Sequence, residues 1–466
     1  MDVLYKKITF IFIIIFTLIS SSCAYIREVP PNETPAPEQQ TPSGDNKSKD
    51  NLAKSDKEDV EENINGYSIE DDQRITEDID RDEENKISFL SESDRTQVLN
   101  SIGPKKMNTI LEVIQTDLPE EVKEAIQYTK YDISFDYFLV TAENGAEIYE
   151  NPASDSSIIS KVENLDKVSL LHRVEGKIFN GSDIWYRVGY KNGDQIKEGY
   201  IHSTSGTPRN FNFDKMVNSI NELKEQINQG QLNFISNYKN QNGAPPQKGD
   251  SGVDEYGYRV YHSAPAYEQA DVNSNFRYIP DGILVRILNE SGEFYYINCP
   301  TFGGNFYVPK KYIDTNSTLS QLNHVIVVDR TQQNQASFEL NENGLNLISY
   351  TLSTTGIAGD YSFETTLGSY KVIEKKDRFQ YLKSGTQEIA GYAPFAIRFT
   401  GGAYIHGVPV AYEEKDGEKI DPGTIEYMHT IGTFPRSSMC VRNFTSHAEF
   451  IYNWIDIKNS AVIVIE

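Results

Sequence analysis

Cys440 lies in "RSSMCVRN", residues 436 to 443, and is one of three cysteines in the chain. A cysteine acts as a nucleophile through its thiolate, so it needs a base or positive charge beside it, and that base must itself be oriented. Three histidines lie near enough in sequence: His406 in "AYIHGVP", His429 in "EYMHTIG" and His447 in "NFTSHAEF". Taken alone, this set also fits a buried structural thiol among packing histidines. Two residues on, Arg442 offers a planar fork for a substrate carboxylate or for a structural ion pair. Cys299 sits in "YYINCPTF", an aromatic and β-branched run that reads as a strand with an inert buried thiol. The histidines lack ligand-like spacing, so neither a metal nor another cofactor is expected.

The chain that must position these residues has 466 of them, enough for several domains. With 68 acidic against 44 basic residues the formal charge is −24, which repels nucleic acid and excludes it as a partner. Near the start, Lys6 and Lys7 precede the apolar run "ITFIFIIIFTLIS", then Ser20, Ser21, Ser22 and Cys23. This run is short for a membrane span and reads as an export signal. It resembles a bacterial lipoprotein signal, which implies lipidation of Cys23 and an anchor in the cell envelope. Ser20 stands where that pattern usually has Leu, and an ordinary secretory signal is the alternative. Residues 24–88 are Pro, Ser, Asn, Asp, Glu and Lys with isolated apolar residues, a composition expected to form a disordered acidic tether.

Helical spacing of Val98, Ile102, Met107, Ile110, Leu111 and Ile114 predicts a helical spacer over 89–132. Residues 133–206 change to short alternating runs. Ala146 to Pro152, Asp166 to Leu171, Trp185 to Val188 and Gly199 to Ile201 resemble the pattern of a bacterial SH3-like domain. A helical connector is expected over 207–245, and a possible second SH3-like domain over 255–316. From His324 onward hairpin-like runs dominate, and helical spacing is confined to "TSHAEFIYNWI". The fold class expected is therefore mainly β and multidomain.

In this last domain, residues 322–466, the motifs fall in an order that is similar to the L,D-transpeptidase (YkuD) catalytic domain family. They are Val327–Asp329; Ser353–Gly356; Thr366, Gly368, Tyr370 and Val372; Pro394, Phe395, Ile397 and Phe399; Gly402, Ile405, His406 and Gly407; and Ser437, Cys440, Val441 and Arg442. The resemblance implies a β-sandwich in which Cys440 is the nucleophile, His406 moves its proton, and the carbonyl of Gly407 holds the imidazole. It implies attack on a tetrapeptide stem of peptidoglycan, release of the terminal D-alanine, and transfer of the acyl group to an amine. Backbone N–H groups around Ser438, Met439 and Cys440 are the expected oxyanion donors, with Ser437, Arg442, Tyr404 and Tyr392 toward the substrate. The SH3-like domains imply glycan or peptide contact, and the lipid anchor implies contact with a bilayer.

The chain departs from the family at Ser438, where the pattern has His, at Met439, where it has Gly, and at Leu367, where it has Pro. Cys440 follows His406 by 440 − 406 = 34 positions, a longer separation than usual. The excess reads as a polar loop over 408–435, either a lid or a surface excursion. Two other functions stay open at this point. One is a hydrolase that uses water as acceptor, and the other is an inactive wall-binding lipoprotein.

Overall fold

The unbroken apolar run in "HVIVVD" sets the architecture of the C-terminal domain. The computed structural model describes residues 89–101, 109–248, 252–342, 344–359, 362–383, 386 and 388–466. The export signal, Cys23, the tether over 24–88, and Ile102 and Met107 of the helical pattern lie outside them. No helix among the described residues is long and apolar enough to cross a membrane.

Two short strands come first, β1 (Ile110–Val113) and β2 (Val122–Glu124), after the helix α1 (Glu92–Ser101). Helical structure among the described residues of 89–132 is thus confined to α1. Strand pairing overrides helical spacing here, because β1 adds to the first β module and β2 pairs in parallel with a strand of the C-terminal domain.

The first module contains β3 (Asp136–Val140), β4 (Ala146–Tyr149), β5 (Ile158–Val162), β6 (Lys167–Phe179), β7 (Ser182–Asn192), β8 (Gln195–His202) and β9 (Gly206–Asn210). The second contains β10 (Leu232–Ile235), β11 (Ser263–Tyr267), β12 (Phe276–Pro280), β13 (Leu284–Ser291), β14 (Phe294–Cys299), β15 (Gly304–Pro309) and β16 (Ile313–Leu319). Their strand orders are β5-β4-β8-β7-β6-β3-β9 and β12-β11-β15-β14-β13-β10-β16. Adding seven to each label of the first gives the second, so the two modules repeat one topology.

Between them runs α2 (Phe213–Asn228), capped by Asn212 Oδ1, which accepts the Lys215 N–H at 3.3 Å. Phe213, Met216, Val217, Ile220 and Leu223 form its buried stripe. The helix stops before Gly230, whose φ is +141°. Strand β10 follows, so the second module begins at Leu232, inside the segment expected as a connector.

The C-terminal domain is a two-sheet sandwich. Its first sheet has the order β2-β19-β18-β17-β28-β20, built from β17 (His324–Asp329), β18 (Asn334–Asn341), β19 (Gly344–Leu352), β20 (Gly368–Lys371) and β28 (Ser460–Ile465). Strands β17 and β28 pair in parallel, and both are buried on two faces, which explains their unbroken apolar runs. Val325 and Val327 join the core under α2, while Ile326 and Val328 join the core shared with the second module. The second sheet orders β21 (Glu374–Leu382), β22 (Ile389–Thr400), β23 (Ala403–His406) and β27 (Val441–Arg442), with β24 (Val410–Ala411) beside β22. Helix α3 (Thr445–Trp454) follows β27 and buries Thr445, His447, Ala448 and Ile451.

The segment 408–435 divides into two. The hairpin β25 (Glu413–Lys415) and β26 (Glu418–Ile420) is exposed and pairs only with itself. Beyond it Ile425, Tyr427, Met428 and Ile431 are buried in the core, so this half is neither lid nor polar excursion.

Candidate functional site

Parallel pairing of β23 with β27 builds the site. The register sets Ile405 against Val441 and His406 against Arg442. Alternation turns Ile405 and Val441 into the shared core, so Tyr404, His406, Cys440 and Arg442 belong to the opposite face. Cys440 falls opposite Tyr404, whose backbone N–H donates to the Cys440 sulfur at 3.3 Å. That bond favours negative charge on sulfur.

His406 is oriented by its own neighbour. Its Nδ1 lies 2.6 Å from the carbonyl oxygen of Gly407. A carbonyl oxygen only accepts, so Nδ1 carries the hydrogen and Nε2 is left to take a proton. Burial pushes the imidazole pKa down to about 4, against a smaller upward pull from the Gly407 carbonyl. Above that pH the ring is neutral and able to act as a base. A side chain at Gly407 would meet Pro394 Cγ, Thr445 Oγ1 and Thr445 Cα at 3.0 to 3.1 Å, and the Gly407 N–H donates to Pro394 O at 2.9 Å. The glycine therefore lets the strand end approach α3 closely enough to fix the carbonyl that fixes His406.

The turn before Cys440 is held from the "STTG" block. Thr354 and Arg442 exchange backbone hydrogen bonds at 3.0 and 2.9 Å, and the Ile357 N–H donates to Ser437 O at 2.9 Å. Gly356 allows the close approach, since a Cβ there would stand 2.5 Å from the Met439 nitrogen. Ser437 Oγ donates to Cys440 O at 2.5 Å. Met439 has φ +63°, a left-handed conformation that favours glycine, the residue the resembling family has at this place. Thr365 Oγ1 bonds the Met439 carbonyl at 2.7 Å, and the Met439 N–H donates to Phe363 O at 2.7 Å.

These bonds engage part of the expected oxyanion site. Of the three N–H groups assigned to it, that of Met439 serves Phe363 O and that of Cys440 serves Ser438 O at 2.8 Å. Two of the three donors are thus engaged inside the protein. Ser438 Oγ is buried with no hydrogen-bond partner.

The site is closed. Cys440 is 2% exposed, His406 3% and Arg442 2%. An apolar cluster of Phe379, Ala393, Ala396 and Tyr404 surrounds Cys440, with the Phe379 and Tyr404 rings stacked at 4.2 Å. Burial lowers the Arg442 pKa to about 10. Tyr392 belongs to a different cluster from Cys440, its hydroxyl donating to Asp421 at 3.0 Å and its ring lying 4.2 Å from the Arg378 guanidinium. Sequence reasoning missed Phe363 and Phe379, because a single aromatic, in a loop as Phe363 or in a strand as Phe379, carries no signal that separates a turn support or a cover from ordinary core.

The other histidines are engaged elsewhere. His429 Nε2 lies 3.2 Å from Asp166 of the first module, and its carbonyl accepts from Lys167 Nζ at 3.0 Å. His447 is held between Asn443 Oδ1 at 2.9 Å and Ser349 Oγ at 3.1 Å, and burial lowers its pKa to about 3. Cys299 is buried, which raises its thiol pKa to about 12 and makes it inert. No group of three His, Cys, Asp or Glu among the described residues is placed to hold a metal.

Residues 323–464 match the family model described as YkuD, the L,D-transpeptidase catalytic domain. No curated protein matches the chain. Among solved structures, similar chains include a fused Zn-dependent amidase/peptidase/peptidoglycan-binding domain-containing protein from Clostridium acetobutylicum ATCC 824, 15% identical with a TM-score of 0.21; the match covers 31% of this chain and 52% of that one. An L,D-transpeptidase from Mycobacterium smegmatis is 13% identical over 39% of this chain and 82% of that one, with a TM-score of 0.25. L,D-transpeptidase 3 from Mycobacterium tuberculosis is 17% identical over 35% of this chain and 74% of that one, with a TM-score of 0.22. At TM-scores this low, no functional weight falls on these neighbours.

Proposed function

We propose that this protein is a peptidoglycan L,D-transpeptidase with Cys440 as nucleophile and His406 as its proton carrier. One observation carries the reading: His406 and Cys440 stand on the same face of adjacent parallel strands, with the His406 tautomer set by Gly407. His406 Nε2 takes the thiol proton as sulfur attacks the carbonyl of the third stem residue. The peptide C–N bond breaks, and the proton passes to the leaving D-alanine amine. The thioester then accepts an amine, whose proton returns through His406 to sulfur as the C–S bond breaks. Arg442 is assigned to a donor carboxylate.

Donor entry requires Phe379 to leave Tyr404, and oxyanion stabilisation requires the Met439 N–H to turn from Phe363. Both changes confine the reactive state to the occupied site.

Incubating the full chain with purified sacculi and analysing the muropeptides tests the reading. New 3→3 dimers that disappear in Cys440→Ala support transfer, tripeptides without dimers assign hydrolysis, and unchanged sacculi overturn both. The two N-terminal modules are read as SH3-like wall contacts, and the chain as exported and anchored through lipid on Cys23. Radiolabelled palmitate incorporated by wild type and lost in Cys23→Ala checks the anchor; equal labelling of both rejects it.

A further inference from the structure

One hydroxyl of the nucleophile turn bonds to nothing. Ser438 Oγ is buried, in a residue 2% exposed, and has no hydrogen-bond partner. Taking a hydroxyl out of water unpaired costs free energy, so its presence calls for a use. Ser438 is also a residue by which this chain departs from the family pattern, which has His there.

The turn keeps its shape without that hydroxyl. Its backbone is held by Ser437 Oγ, which donates to Cys440 O, by Thr365 Oγ1, which donates to Met439 O, and by Phe363 O, which accepts the Met439 N–H. Nor does the hydroxyl bond the sulfur, which accepts the Tyr404 N–H at 3.3 Å.

Alternation and the turn itself place Ser438. Met439 and Val441 both enter the core shared with the second module, whereas Cys440 joins the cluster of Phe379, Ala393, Ala396 and Tyr404. Side chains two apart share a face, so Ser438 falls on the face of Cys440, Tyr404 and His406. The Cys440 N–H donates to Ser438 O at 2.8 Å across Met439, whose φ of +63° closes a three-residue turn. That closure sets Ser438 beside Cys440, next to the place where a carbonyl attacked by the sulfur would stand.

We infer that Ser438 Oγ is a catalytic oxyanion donor, its O–H bonding the oxygen that gains charge as the Cys440 sulfur attacks an acyl carbon. The inference rests on the transpeptidase reading and adds a side chain where only backbone donors were expected. As the C–S bond forms, the π pair of the carbonyl moves to oxygen, and Ser438 donates a hydrogen bond while keeping its proton. When the pair returns, the acyl C–N bond breaks and the amine leaves with the proton carried by His406. The hydroxyl serves without exchanging partners, whereas the Met439 N–H joins only after leaving Phe363. A donor already in position and not tied to another acceptor spends its bond on the developing charge.

The test compares wild type with Ser438→Ala in the full chain by three readings. They are the rate of Cys440 acylation by a carbapenem, the rate of Cys440 alkylation by iodoacetamide measured on its peptide by mass spectrometry, and the melting temperature. Acylation builds an oxyanion and alkylation does not. Ser438→Ala is expected to slow acylation about 10²- to 10³-fold, to leave alkylation and its pH profile unchanged, and to keep or raise the melting temperature. Equal acylation of both proteins overturns the inference and leaves Cys440 as nucleophile. Equal slowing of acylation and alkylation overturns it too, because the hydroxyl would then serve the sulfur. A lower melting temperature also overturns it, because the hydroxyl would then hold the turn. A wild type that takes no carbapenem overturns the transpeptidase reading, and this inference with it.

Discussion

At the residue scale, the account assigns unequal roles to three histidines that the sequence presents alike. His406→Gln is expected to slow turnover about 10²- to 10⁴-fold, whereas His429→Gln, whose ring meets Asp166 of the first module, should stay within a few-fold of wild type. Comparable losses in both would contradict the assignment. The depressed pKa values also set a pH response. His406 and His447 bind a proton in the unfolded chain near pH 6.5 but in the folded protein only near 4 and 3. Their contribution is complete above about pH 6.5 and is lost as pH falls from there toward 4, by a few kcal/mol each. Urea midpoints measured from pH 7.5 to 4.5 should fall, and the slope should flatten in His447→Gln; an unchanged slope would refute the burial argument. Met439 tests competing magnitudes. Glycine relieves about 1 to 2 kcal/mol of left-handed strain but removes a buried side chain worth about 1.5 to 3. Met439→Gly should therefore lower stability by about 1 kcal/mol in urea titrations, and a gain would show that strain dominates.

At the scale of elements, the motifs that the sequence displays are those where backbone geometry allows few residues. Asp329 accepts the N–H groups of Thr331 and Gln332 in the turn after β17, Gly356 admits the Met439 backbone, and Gly407 admits α3. The Asp329 turn is a local demand, and at the two close approaches only glycine fits, so residue type alone marks each position. Among the described residues the helical spacer expected over 89–132 is helical only at Glu92–Ser101, because β2 gains its partner from β19, far along the chain. Leu232–Ile235 was likewise unreadable as the opening strand of a module, since its partners are Val285, Ile313 and Leu319. The partner of the Met439 N–H was unreadable for the same reason: Phe363, whose carbonyl takes it, has no sequence signal. The hairpin Glu413–Ile420 pairs as strands only with itself and reaches the domain through the exposed Lys419, which donates to Ile389 O and pairs with Glu388, so replacing it by two glycines should cost about 1 kcal/mol. A larger loss of melting temperature would show contacts that bind it to the domain.

At the scale of the whole molecule, the repeated modules share cores with the C-terminal domain and are not beads on a string. One buried pair, Asp281 with Arg398, ties the second module to the strand beside β23. Desolvation of Asp281 raises its pKa despite that partner, so removing the partner leaves a costly buried charge. Arg398→Met should destabilise the protein by about 3 to 5 kcal/mol, most at neutral pH and less under acid conditions where Asp281 is protonated. Equal loss at both pH values would mean that packing, not charge, is responsible.

The central claim is that Cys440, activated by His406, is an acylating nucleophile. Intact mass measured after exposure to a carbapenem tests it most directly. The account expects one added drug mass on wild type, none on Cys440→Ala, and greatly slowed addition on His406→Gln. An unlabelled wild type, or a label that survives Cys440→Ala, would contradict it.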